Sequence, residues 1–207
     1  MKKQFQILNS SLVYDGFFSV SKYTLRHSLY QGGMSQSINR EVFHRGNCVA
    51  VLLYDPDKDK VVLIEQFRMG AAHNSQQDEQ AWLIEIVAGG IEQGETAEQV
   101  AYRESLEEAN CSIQALYKVN TFFTSPGGTS EKLTLFCGKI DSCQVGGIYG
   151  LATEDEDIKV SVVDASEAYQ MVVTGKIMSA IPILAIQWLQ LNKQALPTLW
   201  QHHDATT

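Results

Sequence analysis

Apolar and polar residues alternate along this chain in short runs that read mostly as strands. Between Phe5 and Arg45, stretches rich in Tyr, Val, Leu and Phe are broken by Gly16, Gly32 and Gly33, which predicts a separate antiparallel β unit. From Asn47 the pattern tightens: VAVLLY, the turn DPDKDK and VVLIEQF predict a hairpin whose Pro-Asp pair supplies the turn. WLIEIVA, from Trp82 to Ala88, predicts one buried strand running into Gly89-Gly90. Ala115 to Thr124, Leu133 to Ile140 and Ile158 to Val163 also read as strands, so the expected class is α+β or α/β, a mixed sheet with few helices.

Three helices are expected. The first lies between Thr96 and Asn110: Thr96 and Gln99 form a capping box, and Asn110 stands where a left-handed cap is wanted. Asp164-Ala-Ser-Glu167 resembles a second cap, with Gly175 ending that helix. The last runs from Ser179 to Asn192, and its Ile183, Leu184, Ile186, Trp188, Leu189 and Leu191 exceed one narrow stripe, predicting burial or a subunit contact. Residues 69–80, rich in Asn, Gln and Ser, match no motif. The expected division is an N-terminal β unit over 1–45, a main domain over 46–200 and a tail over 201–207, where His202 and His203 carry no ligand pattern.

A chain of 207 residues, 44% hydrophobic and 19% charged, can bury a full core. Its net charge of -8 argues against nucleic acid or an anionic membrane as partner. Cys48, Cys111, Cys137 and Cys143 form no CxxC pair and read as thiols. MKKQFQILNSS lacks the apolar run of a signal peptide, and the stretch 181–191 is too short to span a bilayer, so a cytoplasmic protein is expected.

Candidate chemistry sits on the first helix. Glu104 faces Glu107 and Glu108 at helical spacing, and like charges so placed repel. Such a ridge is either a solvated face or is neutralised by a divalent cation on carboxylate oxygens. Tyr102, Ser105, Leu106 and Ala109 form the expected packing stripe, while Ala97, Val100 and Ala101 suggest that the carboxylates rise from a partly covered groove.

The segment GGIEQGETAEQVAYRESLEEANC resembles the Nudix box, G-x5-E-x7-R-E-U-x-E-E-x-G-U, with Gly89, Glu95, Arg103, Glu104, Glu107 and Glu108 in register. Ser105 and Cys111 at aliphatic positions and Asn110 at the last glycine depart from it. The resemblance implies a Nudix fold, a mixed sheet sandwiched between helices. It implies Mg²⁺, or Mn²⁺, held by Glu104, Glu108 and the Ala88 carbonyl, with Glu107 a ligand or a partner of one, and Arg103 orienting a box glutamate.

A wider likeness is to the bacterial ADP-ribose pyrophosphatase branch. It rests on Pro126, fifteen residues after Cys111, and on GFFS at Gly16, REVFHRG at Arg40, EQFR ending at Arg68, and LATEDEDIKV. In that branch a loop glutamate activates water; the likeness gives this role to Glu154 and a metal-ligand role to Glu156, or the reverse. It also implies that Arg45 and Arg68 contact phosphates or ribose, and that Phe17 and Phe18 pack the adenine near Arg40 and Glu41, unless they are strand core. Gly90, Ser125 and Glu131 are further candidate substrate contacts under the same likeness. A homodimer with a swapped N-terminal sheet and cleavage of ADP-ribose to AMP and ribose 5-phosphate follow by the same likeness. The competing readings are a GDP-hexose pyrophosphatase, against which Pro126 stands, and an ADP-ribose sensor without catalysis, against which the intact glutamates stand.

Overall fold

The structure, a computed structural model, describes residues 2–203, the side chains of 202 and 203 excepted. The expectation for His202 and His203 and most of the tail therefore lies outside the described residues.

The chain forms two compact units. The first takes 1–47 and 122–133. Here β1 (Phe5–Asp15), β2 (Ser19–His27) and β3 (Ile38–His44) make an antiparallel meander, with register shifts in β1 after Ile7 and Leu12. Every residue of β1 is exposed, including Phe5 at 72%. The segment 122–133 joins this unit through Phe43, which donates to the Gly128 carbonyl and accepts from the Ser130 N–H.

The second unit takes 48–121 and 134–207. Its strands are β4 (Cys48–Asp55), β5 (Lys60–Phe67), β6 (Trp82–Glu85), β7 (Val87–Gly90), β8 (Ala115–Phe123), β9 (Lys132–Lys139), β10 (Gly147–Tyr149) and β11 (Ile158–Asp164). The sheet order is β10-β11-β5-β4-β9-β8. WLIEIVA is not one strand. It divides at buried Ile86, so that β6 pairs with β5 and β7 with β4. The break turns Ala88 and the glycine pair away from the β5 edge.

Alternation decides which face each helix covers. Val49, Val51, Leu53, Val62 and Ile64 pack against Val100, Ala101 and Ala109 of α2 (Ala97–Ala109). α3 (Ala165–Val173) lies against β5 and β11, where Leu63, Val163 and its Met171 line one cavity. α4 (Ala180–Asn192) buries Pro182, Ala185, Ile186 and Leu189 but leaves Leu191 85% exposed, so its burial is one-sided. Two short helices went unpredicted, a six-residue helix over 69–74 with no buried residue and a terminal one over 196–203. Trp200 of the latter donates to the Cys137 carbonyl at 3.2 Å. None of the four cysteines forms a disulfide.

The hairpin turn is fixed by Asp55, 1% exposed, which accepts from the Asp57 and Lys58 N–H groups, the Lys58 ammonium, and the Ser142 N–H and hydroxyl. Burial pushes its pKa up, but the Ser142 and Lys58 bonds outweigh burial and hold it well below the usual range. A depressed carboxylate contributes stability that is present above the unfolded value of about 4 and is lost as pH falls toward the folded value. Asp55→Asn sets an amide N–H₂ against donors and should cost roughly 2 kcal/mol. Urea melts at neutral pH should show that loss, and the gap should narrow in acid.

Candidate active site

The Ala88–Gly90 end of β7, paired with β4, and α2 build the centre. Thr96 accepts from the Gln99 N–H at 3.2 Å while the Gln99 side chain accepts from Thr96 N at 2.8 Å, which sets the first turn of α2. At the far end Asn110 adopts φ 50°, and the Cys111 N–H reaches the Ser105 carbonyl at 2.8 Å, so asparagine supplies the left-handed cap expected of it. Ser105 sits buried because its hydroxyl donates to the Ala101 carbonyl at 2.7 Å.

The expected packing stripe holds at Ser105 and Ala109, both buried, and is corrected at Tyr102 and Leu106, which are exposed at 44% and 51%, while Glu108 is 2% exposed beside Val100, Ala101 and Ser105. Glu108 lies on the packed side of the helix. Glu108 is held there by the Ala88 N–H, which donates to its Oε2 at 2.9 Å. Glu104 lies against Gly89, where any Cβ would collide with its carboxylate. Glycine at 89 is therefore a space requirement.

Arg103 ties the ridge together. Its guanidinium makes a two-bond fork to Glu95, at 3.0 and 3.1 Å, and donates to Glu104 at 2.7 Å, to Glu107 at 2.9 Å and to the Gly90 carbonyl at 3.4 Å. Burial outweighs the positive charge that reaches Glu104 and Glu108. Burial pushes the Glu108 pKa up to about 8, with the charges of Glu104 and Glu156 adding to it against the Ala88 bond and Arg68. Burial also pushes Glu104 up to about 7, Arg103 opposing and Glu107 and Glu156 adding.

Glu156 thus shares the field of the helix pair although it lies on the loop after β10. Its Oε2 accepts from the Leu151 N–H at 3.1 Å, and its Cβ crowds Gly150 at φ +105°. Glu154 is exposed, at the end of a single 3-10 turn over Ala152–Glu154. As placed, no three His, Cys, Asp or Glu side chains among the described residues converge closely enough to grip an ion. The fit is nevertheless chemical: desolvated carboxylate oxygens and a glycine that leaves room for one of them suit a hard cation. Arg68 donates to Glu85 at 2.8 Å, and Glu85 also accepts from Ser179 at 3.0 Å. Glu85 was not singled out from sequence; the signal available was a lone carboxylate within an apolar run.

In the first unit Arg45, Glu131 and Phe18 come together. Arg45 bonds Glu131 at 3.0 Å and lies 5.7 Å from the Phe18 ring centre. Glu131 also accepts from Thr124 at 2.6 Å. Phe18 packs edge-on with Phe43 and Phe17, but Phe17 is 96% exposed and is not strand core. The Ser125 carbonyl caps the turn at Gly128 and Thr129. Arg40 and Glu41 are exposed on β3, Arg40 donating to the Asn39 carbonyl.

Comparison with known proteins gives a consistent result. Residues 44–178 match the family profile described as NUDIX domain. The chain is 46% identical over 199 residues to the ADP-ribose pyrophosphatase of Escherichia coli K12, covering 96% of this chain and 94% of that one. It is 42% identical over 200 residues to the ADP-ribose pyrophosphatase of Haemophilus influenzae, covering 97% and 92%. The GDP-mannose pyrophosphatase of Cronobacter sakazakii is 37% identical over 189 residues, covering 89% and 97%.

Proposed function

Because this chain belongs to the NUDIX domain family, we propose that it is a hydrolase that cuts the pyrophosphate of ADP-ribose to give AMP and ribose 5-phosphate. The observation that carries the reading is the pairing of buried Glu108 and half-buried Glu104 against the Ala88–Gly90 end of β7, with the charge of Glu156 bearing on both. The ADP-ribose choice rests on the two relatives above 40% identity and on Pro126.

Glu104, Glu108, Glu156 and the Ala88 carbonyl would hold Mg²⁺ or Mn²⁺, with Glu107 a further ligand or a partner of one. Such an ion supplies charge neutralisation for the diphosphate and a more acidic water. Arg103 fixes Glu95, Glu104 and Glu107 in place. Glu154 is proposed as the base that takes the proton of the attacking water. Arg68 and Gly90 in the second unit, and Phe17, Phe18, Arg40, Glu41, Arg45, Ser125 and Glu131 in the first, are proposed as substrate contacts on the strength of the family likeness. A cytoplasmic homodimer belongs to the same reading; no helix among the described residues is long and apolar enough to cross a membrane.

GDP-mannose is the alternative substrate, favoured by the 37% identity to a GDP-mannose pyrophosphatase. Steady-state assays with Mg²⁺ and ADP-ribose, GDP-mannose, NADH and diadenosine polyphosphates decide between them. We expect kcat/KM for ADP-ribose to exceed that of each competitor by about ten-fold or more. A preference for GDP-mannose would overturn the substrate assignment.

A further inference from the structure

Among the described residues a single buried side-chain polar atom has no hydrogen-bond partner, the amide nitrogen of Gln66. The residue is 6% exposed. An unpaired donor at that depth is unfavourable where an apolar side chain of the same shape would not be, so its presence calls for an acceptor that arrives from elsewhere.

Its position narrows the acceptor. Gln66 follows Val62 and Ile64 at the strand period of two, and both pack against α2, so its side chain emerges on the face that α2 covers. On one side its register partner is Leu83. On the other, the antiparallel register carried one step beyond Glu65↔Lys159 sets it beside Ile158, two residues from Glu156. The nitrogen is sealed from solvent, so a diffusing ligand does not reach it directly. A side chain on a neighbouring loop can. Glu156 has given Oε2 to the Leu151 N–H, which leaves Oε1 to accept.

We propose that Gln66 is a positioning residue of the hydrolytic site: when the cation site is occupied, its amide N–H, unpaired in this structure, donates to the Glu156 carboxylate and holds it toward Glu104 and Glu108. This rests on the reading of those three carboxylates as a cation site. It gives the buried amide a role in ordering a loop that Leu151 already holds, its N–H donating to Glu156 and its carbonyl accepting from the Glu154 and Glu156 N–H groups.

The test is a cycle of Gln66→Leu, Glu156→Gln and the double variant, with Mn²⁺ affinity from the electron paramagnetic resonance signal of free Mn²⁺ and kcat and KM for ADP-ribose at saturating Mn²⁺. In metal-free buffer Gln66→Leu should raise Tm by about 2–4 °C, since a buried orphan is removed. It should weaken Mn²⁺ binding about ten-fold, as loss of a group orienting a ligand does, and lower kcat with KM nearly unchanged. In the Glu156→Gln background the same substitution should change neither quantity, because the two residues act as one unit. Gln66→Met serves in its place if the leucine variant does not fold. Wild-type Mn²⁺ affinity in Gln66→Leu, or its full loss repeated on top of Glu156→Gln, overturns the inference alone. A wild-type protein that binds no Mn²⁺ overturns the reading of the site and this inference with it.

Discussion

Glu108→Gln is expected to lower kcat by about 10³-fold or more while leaving a folded protein that, above neutral pH and without metal, outlasts the wild type on heating. The amide keeps the size of the side chain, and its oxygen can still accept from the Ala88 N–H. What disappears is a charge that burial opposes. The sign follows from linkage. Glu108 has its folded pKa pushed up to about 8, above the ordinary 4.5. Between those values the folded state keeps a proton that the unfolded state releases, so its contribution to stability falls as pH rises through that window. Glutamine carries no such burden. The Tm advantage of the variant should therefore be small near pH 5 and grow toward pH 8, and scanning fluorimetry in EDTA measures it. Retained turnover would remove Glu108 from the chemistry. A Tm gap that shrank with rising pH would mean that the carboxylate is not desolvated.

That single residue also shows where sequence reading reached its limit. The spacing of Glu95, Arg103, Glu104, Glu107 and Glu108 was legible, as were the two ends of α2, because capping is local chemistry. Which side of α2 is buried was legible only in part. The expected stripe is buried at Ser105 and Ala109, but hydrophobicity also turned Tyr102 and Leu106 inward, and the packed side takes Glu108 instead. Glu108 and Ser105 are each satisfied by a bond that the sequence does not print, one to Ala88 and one to Ala101. Functional helices bury polar groups against the amphipathic rule, and the wheel misreads them for that reason.

Other losses have similar causes. WLIEIVA has the apolar run of one strand, and nothing local says that its halves pair with different partners. The three-residue β10 and the helix at 69–74 bury too little to leave a period. The trio of Phe18, Arg45 and Glu131 joins positions far apart in the chain, and Arg68 meets Glu85 only because β5 and β6 pair. The β1 pattern gave its strand correctly, whereas its full exposure could not have been read from it.

The two loop glutamates should separate cleanly. Glu154→Gln is expected to lower kcat by about 10²–10⁴-fold, the usual worth of a general base, with Mn²⁺ affinity close to that of the wild type. Glu156→Gln should instead weaken Mn²⁺ binding about ten-fold, and part of its kcat loss should return at high Mn²⁺. The difference follows from placement. Glu156 is half-buried, pinned by the Leu151 N–H and crowded against Gly150, and its charge bears on Glu104 and Glu108. A group so held can serve as a fixed ligand. Glu154 is exposed at the end of its 3-10 turn, which leaves it in water and free to accept a proton from it. If Glu154→Gln weakens Mn²⁺ binding while Glu156→Gln leaves it intact, the two roles are exchanged, and the field at Glu104 and Glu108 has another source of relief.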